Sequence, residues 1–311
     1  MARKSDERVL PGRLSIIIPT RNRVRSLKKL LDSLAAAVSP AGTTIEIIVI
    51  NNASTDATRT LLEDEAAKPR AQSLTVLDEP RTGKSNAVNR ALSVVRGDII
   101  MILDDDVSID SHCLVKHLEA YRKTSFAAIQ GRIFPGKDPD GRSANPEWLR
   151  QYNIPLIDHG DEMTAIRGLT GTNMSFKREV LERVGLFDTR LGPGAAGFSE
   201  DTEFSARIRE AGFEIGYTPE AIVYHELDPG RYGRAYNRNV EFRKGLSRSI
   251  YRRDSVVFRI VPDLVVNCLR YVIYRLLGRT QKAFKAEGRL MKSWGYLIGR
   301  LRRRTSIRTP G

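Results

Sequence analysis

Two kinds of apolar spacing alternate along the first part of the chain. "LSIIIPT" (14–20) and "IEIIVI" (45–50) are short, isoleucine-rich runs, the mark of strands buried on both faces of a parallel sheet. Between them, "RSLKKLLDSLAAAV" (25–38) sets Leu27, Leu30, Leu31 and Leu34 at helical spacing. The alternation repeats: "NNASTDATRTLLEDEAAK" predicts a turn and a helix, "SLTVLDE" a strand, "GKSNAVNRALSVV" a helix and "DIIMILDDD" the next strand. A βαβα order implies right-handed crossovers, hence an α/β fold with a mostly parallel sheet and helices on both faces. Such sheets bind ligands at the carboxyl ends of their strands. Here each end runs into polar residues: Pro19 to Asn22, Asn51 with Asn52, and Asp104 to Asp106.

Beyond Asp110 the order loosens. "DSHCLVKHLEAYRK" reads as a helix and "AAIQGRIF" as a strand, and residues 135–160 form a loop rich in Pro, Gly and Asp, a candidate acceptor-side loop. "GTNMSFKREVLERVG" gives a strand and a helix, "SEDTEFSARIREAG" a helix and "FEIGYTPEAIVYHE" a strand. In "SVVFRIVPDLVVNCLRYVIYRLLG" (255–278) the apolar run is broken by Arg259, Asp263, Arg270 and Arg275, which argues against a membrane-spanning helix. Val257, Ile260, Val261, Leu264, Cys268 and Val272 are expected on one helical face, with Arg259, Asp263 and Arg270 on another. Pro262 should bend or start a helix. The chain therefore divides into a tail (1–12), an α/β domain (13–230) and a helical extension (231–311).

Charge sharpens that division. Of 311 residues 41% are hydrophobic and 28% charged, an ordinary globular composition. Yet from Arg231 onward there are 21 Lys and Arg against four acidic residues, so the whole formal charge of +14 originates in the extension. An Arg-rich amphipathic stretch with Tyr271, Tyr274, Trp294 and Tyr296 suits an anionic membrane surface; a solvated helical subdomain is the plainer alternative, and nucleic acid ranks last. Cys113 and Cys268 form no metal or redox spacing. "MARKSDERVLPGR" lacks the apolar core of a signal peptide, so the expected location is cytoplasmic, peripheral on the inner face of the cell membrane.

Three constellations offer chemistry. Asp104 and Asp106 form a D-x-D at a strand end, suited to hard Mg²⁺ or Mn²⁺; alternation sets Asp105 on the opposite side. Alone, the triplet reads equally well as a helix cap. Glu200 and Asp201 open an amphipathic helix, either capping it or supplying a general base. His225 ends a strand, where it is structural or a metal ligand. Thr55 and Asp56 are read as caps.

In this order and spacing, "SIIIPTRNR", "EIIVINNASTDAT", "TGKSNAVNRAL", "GDIIMILDDDV", "GTNMSFKREVLERVGLFD", "SEDTEFSARIREAG" and "YTPEAIVYHE" closely resemble the family 2 glycosyltransferases, which have the GT-A nucleotide-sugar fold. The resemblance covers roughly residues 13 to 226. It implies an inverting, hexosyl-transferring enzyme of envelope glycan, polysaccharide or glycolipid synthesis. Its donor would be a nucleotide diphosphate sugar, its cofactor Mn²⁺ or Mg²⁺ and its acceptor a glycan or a lipid-linked acceptor. Pro19, Arg21 and Asn22 would line the base pocket with Asn51 alongside, and Lys84 would lie near the diphosphate. Asp106 would ligate the metal, Asp104 the ribose or the metal, and His225 would complete the metal site. Asp201 would be the catalytic base and Glu200 its neighbour. Many members carry Asp where this chain has Asn51, so UDP is a preference here. A nucleotidyltransferase, the nearest rival enzyme, calls for a glycine-rich loop after the first strand, and "PTRNRVRS" has no glycine.

Overall fold

The computed structural model describes residues 12–69, 71–137, 141–143, 156–231 and 233–306. They fall into two compact units. One contains the described residues up to Ser143, with 156–187 and 201–227, and the other contains 188–200 and the described residues from 228 onward. Much of the expected 135–160 loop lies outside the described residues.

The first unit is built on β1 (Arg13–Thr20), α1 (Val24–Ala36), β2 (Thr44–Asn51), α2 (Thr58–Ala66), β3 (Ser73–Asp78), α3 (Lys84–Leu92) and β4 (Ile99–Leu103). There follow β5 (Val107–Ile109), α4 (Cys113–Lys123), β6 (Ala128–Pro135), β7 (Thr164–Ile166), β8 (Asn173–Lys177), α5 (Arg178–Val184), α6 (Glu200–Glu210) and β9 (Ile215–His225). The continuous apolar runs are buried on both faces, as their composition requires. Leu14, Ile16 and Ile18 of β1 share one core layer with Ile47 and Val49 of β2 and Met101 of β4, while Ile17, Ile48 and Ile100 enter the other. Leu27, Leu30, Leu31 and Leu34 of α1 cover the first layer; Ala87, Val88 and Ala91 of α3 cover the second.

The sheet runs β3-β2-β1-β4-β8-β6-β9-β5, with β7 on β9. Pairings among β3, β2, β1 and β4 are parallel, as the βαβ pattern predicts. From β8 onward the sheet is mixed: β8 is antiparallel to both β4 and β6, and β5 to β9. β5 and β7, of three residues each, are too short to carry a period that sequence reading detects.

The second unit contains α7 (Arg234–Tyr251), a π-helical turn (Val256–Ile260), α8 (Val261–Leu276) and α9 (Thr280–Ser306). α7 and α9 meet backbone to backbone. A Cβ on Gly295 would lie 2.0 Å from the Phe242 carbonyl oxygen, and one on Gly245 2.0 Å from that of Lys292, which explains glycine inside two helices. Pro262 stands in the first turn of α8, where its missing N–H costs no hydrogen bond.

Two details of the extension differ from expectation. The face assigned to Val257, Ile260, Val261, Leu264, Cys268 and Val272 divides. Ile260 is buried and Leu264 half-buried, while Val257, Val261, Cys268 and Val272 are exposed. The packed line of α8 runs through Leu264, Asn267, Tyr271 and Tyr274, so Val261, Cys268 and Val272 fall to one side of it. Tyr296 is not a surface aromatic but fully buried, its hydroxyl accepting from the Asp254 amide (2.8 Å) and donating to the Arg252 carbonyl (3.1 Å).

Candidate active site

Register brings the strand ends level: Thr20 lies opposite Asn51, and Asn51 opposite Asp78. β1 pairs with β2 on one side and β4 on the other, so strand order reverses between β1 and β4. That reversal is the switch point at which α/β sheets take ligands. Asp104 to Asp106 leave β4 there.

Each aspartate has different partners. Asp104 accepts from Lys84 Nζ on one oxygen and from Thr172 Oγ1 (2.8 Å) on the other. Burial pushes its carboxyl upward, but the Lys84 ammonium and the Thr172 hydroxyl outweigh burial and hold it below the ordinary value. Asp105 turns to β1 and accepts from Thr20 Oγ1 at 2.7 Å. Burial, reinforced by the Asp106 charge, raises its pKa to about 7. Asp106 lies between Arg23 Nη1 (3.4 Å) and His225 Nε2 (3.3 Å).

His225 arrives because β5, immediately after the triplet, pairs antiparallel with β9 and sets Val107 opposite His225. Its Nδ1 is 2.7 Å from the Glu226 carbonyl oxygen, which only accepts, so Nδ1 carries the hydrogen. Nε2 then faces Asp106 Oδ1. Among the described residues no three His, Cys, Asp or Glu side chains converge on a metal position. Lys84 and Thr172 engage the two oxygens of Asp104. Mg²⁺-type sites commonly use one or two carboxylates and complete their shell with substrate phosphates and water, and Asp106 at the strand end is a carboxylate that could serve in that way.

A contact chain links Lys84 to Asp201. Gly171 lies against Lys84, since a Cβ there would be 2.8 Å from Nζ, and its N–H donates to Asp201 Oδ2 at 3.3 Å. The Thr202 amide donates to Asp201 Oδ1 at 2.6 Å. Ser205 Oγ donates to the Asp201 carbonyl (2.6 Å) and accepts from the Leu169 amide (2.9 Å), tying the first turn of α6 to the 169–172 loop. Glu200, the first residue of α6, is buried.

At the strand ends on the β1–β2 side, Arg21 and Asn22 are exposed past β1, while Pro19 is buried within it opposite Ile50. Asn22, at a φ of 54°, accepts from the Thr55 amide at 2.7 Å. Asn51 donates to Asp78 (3.0 Å) and accepts from the Ser54 amide (3.3 Å). Asp56 accepts from the Thr58 amide at 3.0 Å and from the Thr58 hydroxyl at 2.5 Å, but it stands one residue ahead of the N-cap, Ala57, which makes no side-chain cap bond, so Asp56 ties down the start of α2 without being its N-cap. Sequence reading placed Thr20 and Asn52 at the strand ends without giving either a role, and it passed over Arg23, Gly171, Thr172 and Asp78. Asn52 donates to the carbonyls of Glu79 (2.9 Å) and Arg81 (2.8 Å) and accepts from the Gly83 amide (2.8 Å), so it fixes the loop that delivers Lys84. Only the second arginine of "TRNR" could have signalled Arg23.

Residues 15–185 match the family model described as Glycosyl transferase family 2. The succinoglycan biosynthesis protein ExoM of Rhizobium meliloti (strain 1021) is 29% identical over 224 residues, 70% of this chain and 69% of its own length. The poly-beta-1,6-N-acetyl-D-glucosamine synthase of Staphylococcus epidermidis RP62A is 26% identical over 246 residues, 78% of this chain and 56% of its own length. Among solved structures, the mannosyltransferase PcManGT from Pyrobaculum calidifontis, in complex with GDP-Man and Mn²⁺, aligns over 99% of this chain and 78% of its own. Its TM-score is 0.59 at 19% identity, a likeness of fold that fits the GT-A architecture. The family match takes in β1 to β4, the aspartate triplet and Lys84, and on that extent the chain belongs to glycosyl transferase family 2, a family of transferase enzymes.

Proposed function

We propose that the protein is an inverting glycosyltransferase that moves a sugar from a nucleotide diphosphate sugar to an acceptor hydroxyl of an envelope glycan or lipid-linked glycan. The observation carrying this reading is the chain of contacts Asp104–Lys84–Gly171–Asp201, which brings a cation and a carboxylate together beyond the strand ends. Relatives named for succinoglycan and poly-N-acetylglucosamine synthesis support the polysaccharide assignment.

The roles follow from the chemistry. Lys84 and Arg23 offer positive charge where a diphosphate leaves. Asp106 and His225 would hold Mn²⁺ or Mg²⁺, which when bound offsets the charge building on the departing diphosphate. Asp201, with Gly171 and Thr202 orienting its two oxygens, removes the proton from the acceptor hydroxyl. One base and one displacement suffice, so configuration inverts without a covalent enzyme intermediate. Glu200 supports Asp201 as its helical neighbour. Arg21, Asn22 and Asn51, beside the buried Pro19, form the base end, and a UDP-sugar is the first donor to test. Asp104, held by Lys84 and Thr172, is read as the ribose contact. The basic stretch 231–311 brings the enzyme to an anionic membrane surface from the cytoplasmic side.

The test is a thermal-shift panel of nucleotide diphosphate sugars with and without Mn²⁺, followed by turnover of Asp201→Asn. One donor should stabilise the protein, more so with Mn²⁺. Asp201→Asn should keep that shift while losing at least about a hundredfold in kcat. Near-normal turnover by the variant would remove Asp201 from the base role.

A further inference from the structure

Among the described residues, the exposed apolar side chains concentrate on the π-turn and α8. Phe258 is 88% exposed, Leu276 82%, Val257 68% and Leu269 58%, and Val261, Val265, Val272 and Ile273 are also exposed. Only a narrow seam of α8 packs within its unit: Leu264, Asn267, Tyr271 and Tyr274, continuing the buried Ile260 at alternating four- and three-residue spacing. At about 100° per residue, Val261, Val265, Leu269, Val272 and Leu276 centre on the side opposite that seam. Asp263 and Arg270 border this outer face on one flank and Arg275 on the other. The helix is therefore apolar outward, packed inward along a seam of Leu264, Asn267, Tyr271 and Tyr274, and charged at its two edges. A solvated surface helix would place its arginines outward.

We propose that α8 and the π-turn before it form an interfacial membrane anchor, with Phe258, Val265, Leu269 and Leu276 in the acyl boundary of an anionic bilayer and the flanking arginines at its phosphates. This rests on the membrane reading of the basic stretch given above and deepens it from charge attraction to apolar insertion. Three observations select a bilayer as the occupant. The apolar face is continuous along the whole helix, whereas the patches of soluble monomers are small. Cationic residues border it and crowd the stretch around it, matching anionic headgroups. No helix among the described residues is long and apolar enough to cross a membrane, so lying in the interface is the arrangement open to this segment.

Cys268 makes the inference directly testable. It is exposed on α8 while Cys113, the other cysteine, is fully buried, so a thiol-reactive, environment-sensitive fluorophore labels Cys268 selectively on the full chain. The labelled protein is mixed with vesicles of phosphatidylcholine and phosphatidylglycerol, sedimented and washed with concentrated salt. The expected result is a blue-shifted probe shielded from iodide and a fraction that remains bound after the wash. In Leu269→Glu/Leu276→Glu, substituted where the side chains are already exposed, the salt-resistant fraction should fall more than about tenfold while thermal stability is kept. Binding wholly reversed by salt with an unshifted probe would overturn insertion and leave charge-driven docking standing. No binding at low salt would overturn both. A dimer in solution that the double variant makes monomeric would overturn the proposal in favour of an interface between copies. Donor binding and turnover are read separately, so failure of the catalytic assignment leaves each of these outcomes distinct.

Discussion

The three adjacent aspartates coexist because each has a different environment. Asp104 is ionised against Lys84, Asp105 shares the Thr20 hydroxyl, and Asp106 lies between Arg23 and His225. Removing one member of such a set leaves its partner's charge uncompensated. Lys84→Met should destabilise the protein by about 2 kcal/mol in urea unfolding, and it should weaken donor binding in calorimetry. Asn52→Ala strands the Gly83 amide and two carbonyls without touching Lys84, Asp104 or Asp201. It should cost roughly 1–3 kcal/mol and raise the donor KM more than it lowers kcat, because the loop carrying Lys84 loosens. Equal loss in both kinetic constants would place Asn52 in the chemistry itself.

At the scale of elements, short strands and glycines decide what meets what. β5 has three residues, yet its pairing with β9 is what sets His225 beside Asp106. In the second unit Gly245 and Gly295 let α7 and α9 approach to backbone contact, where the listener to a Cβ would be a carbonyl that cannot turn aside. Gly295→Ala, which raises helix propensity, should nonetheless lower stability by more than about 2 kcal/mol in thermal unfolding, because overpacking exceeds the gain of about 1 kcal/mol from removing a helical glycine. A stabilised variant would show that the two helices can separate without cost.

For the whole molecule, the buried His117 and the half-buried Asp105 give stability opposing dependences on pH. His117 bonds Asn173 and Ser175, and burial depresses its pKa from 6.5 to about 4. The unfolded chain binds that proton more readily, so stability from His117 is present above pH 6.5 and is lost as pH falls toward 4, by about 3 kcal/mol. Asp105, raised from 3.8 to about 7, acts in reverse: its contribution is present below pH 3.8 and is lost as pH rises through 7. Urea unfolding between pH 4 and 7 should therefore show a steeper rise of stability with pH in Asp105→Asn than in the parent chain, and a shallower rise or a fall in His117→Gln. Parallel curves would mean neither group is perturbed. The alternating apolar periods determined the βαβ half of the sheet, its helices and the strand ends that carry the site, because burial on two faces leaves a local signature in composition. The charge split likewise marked the basic extension. Only tertiary structure decided the antiparallel insertion of β8, the partner of each aspartate, the tie of Asp201 to the Lys84 loop and the outward apolar face of α8. Those depend on pairings between residues far apart in the chain, and a sequence period records which face of an element is apolar without recording what that face will meet.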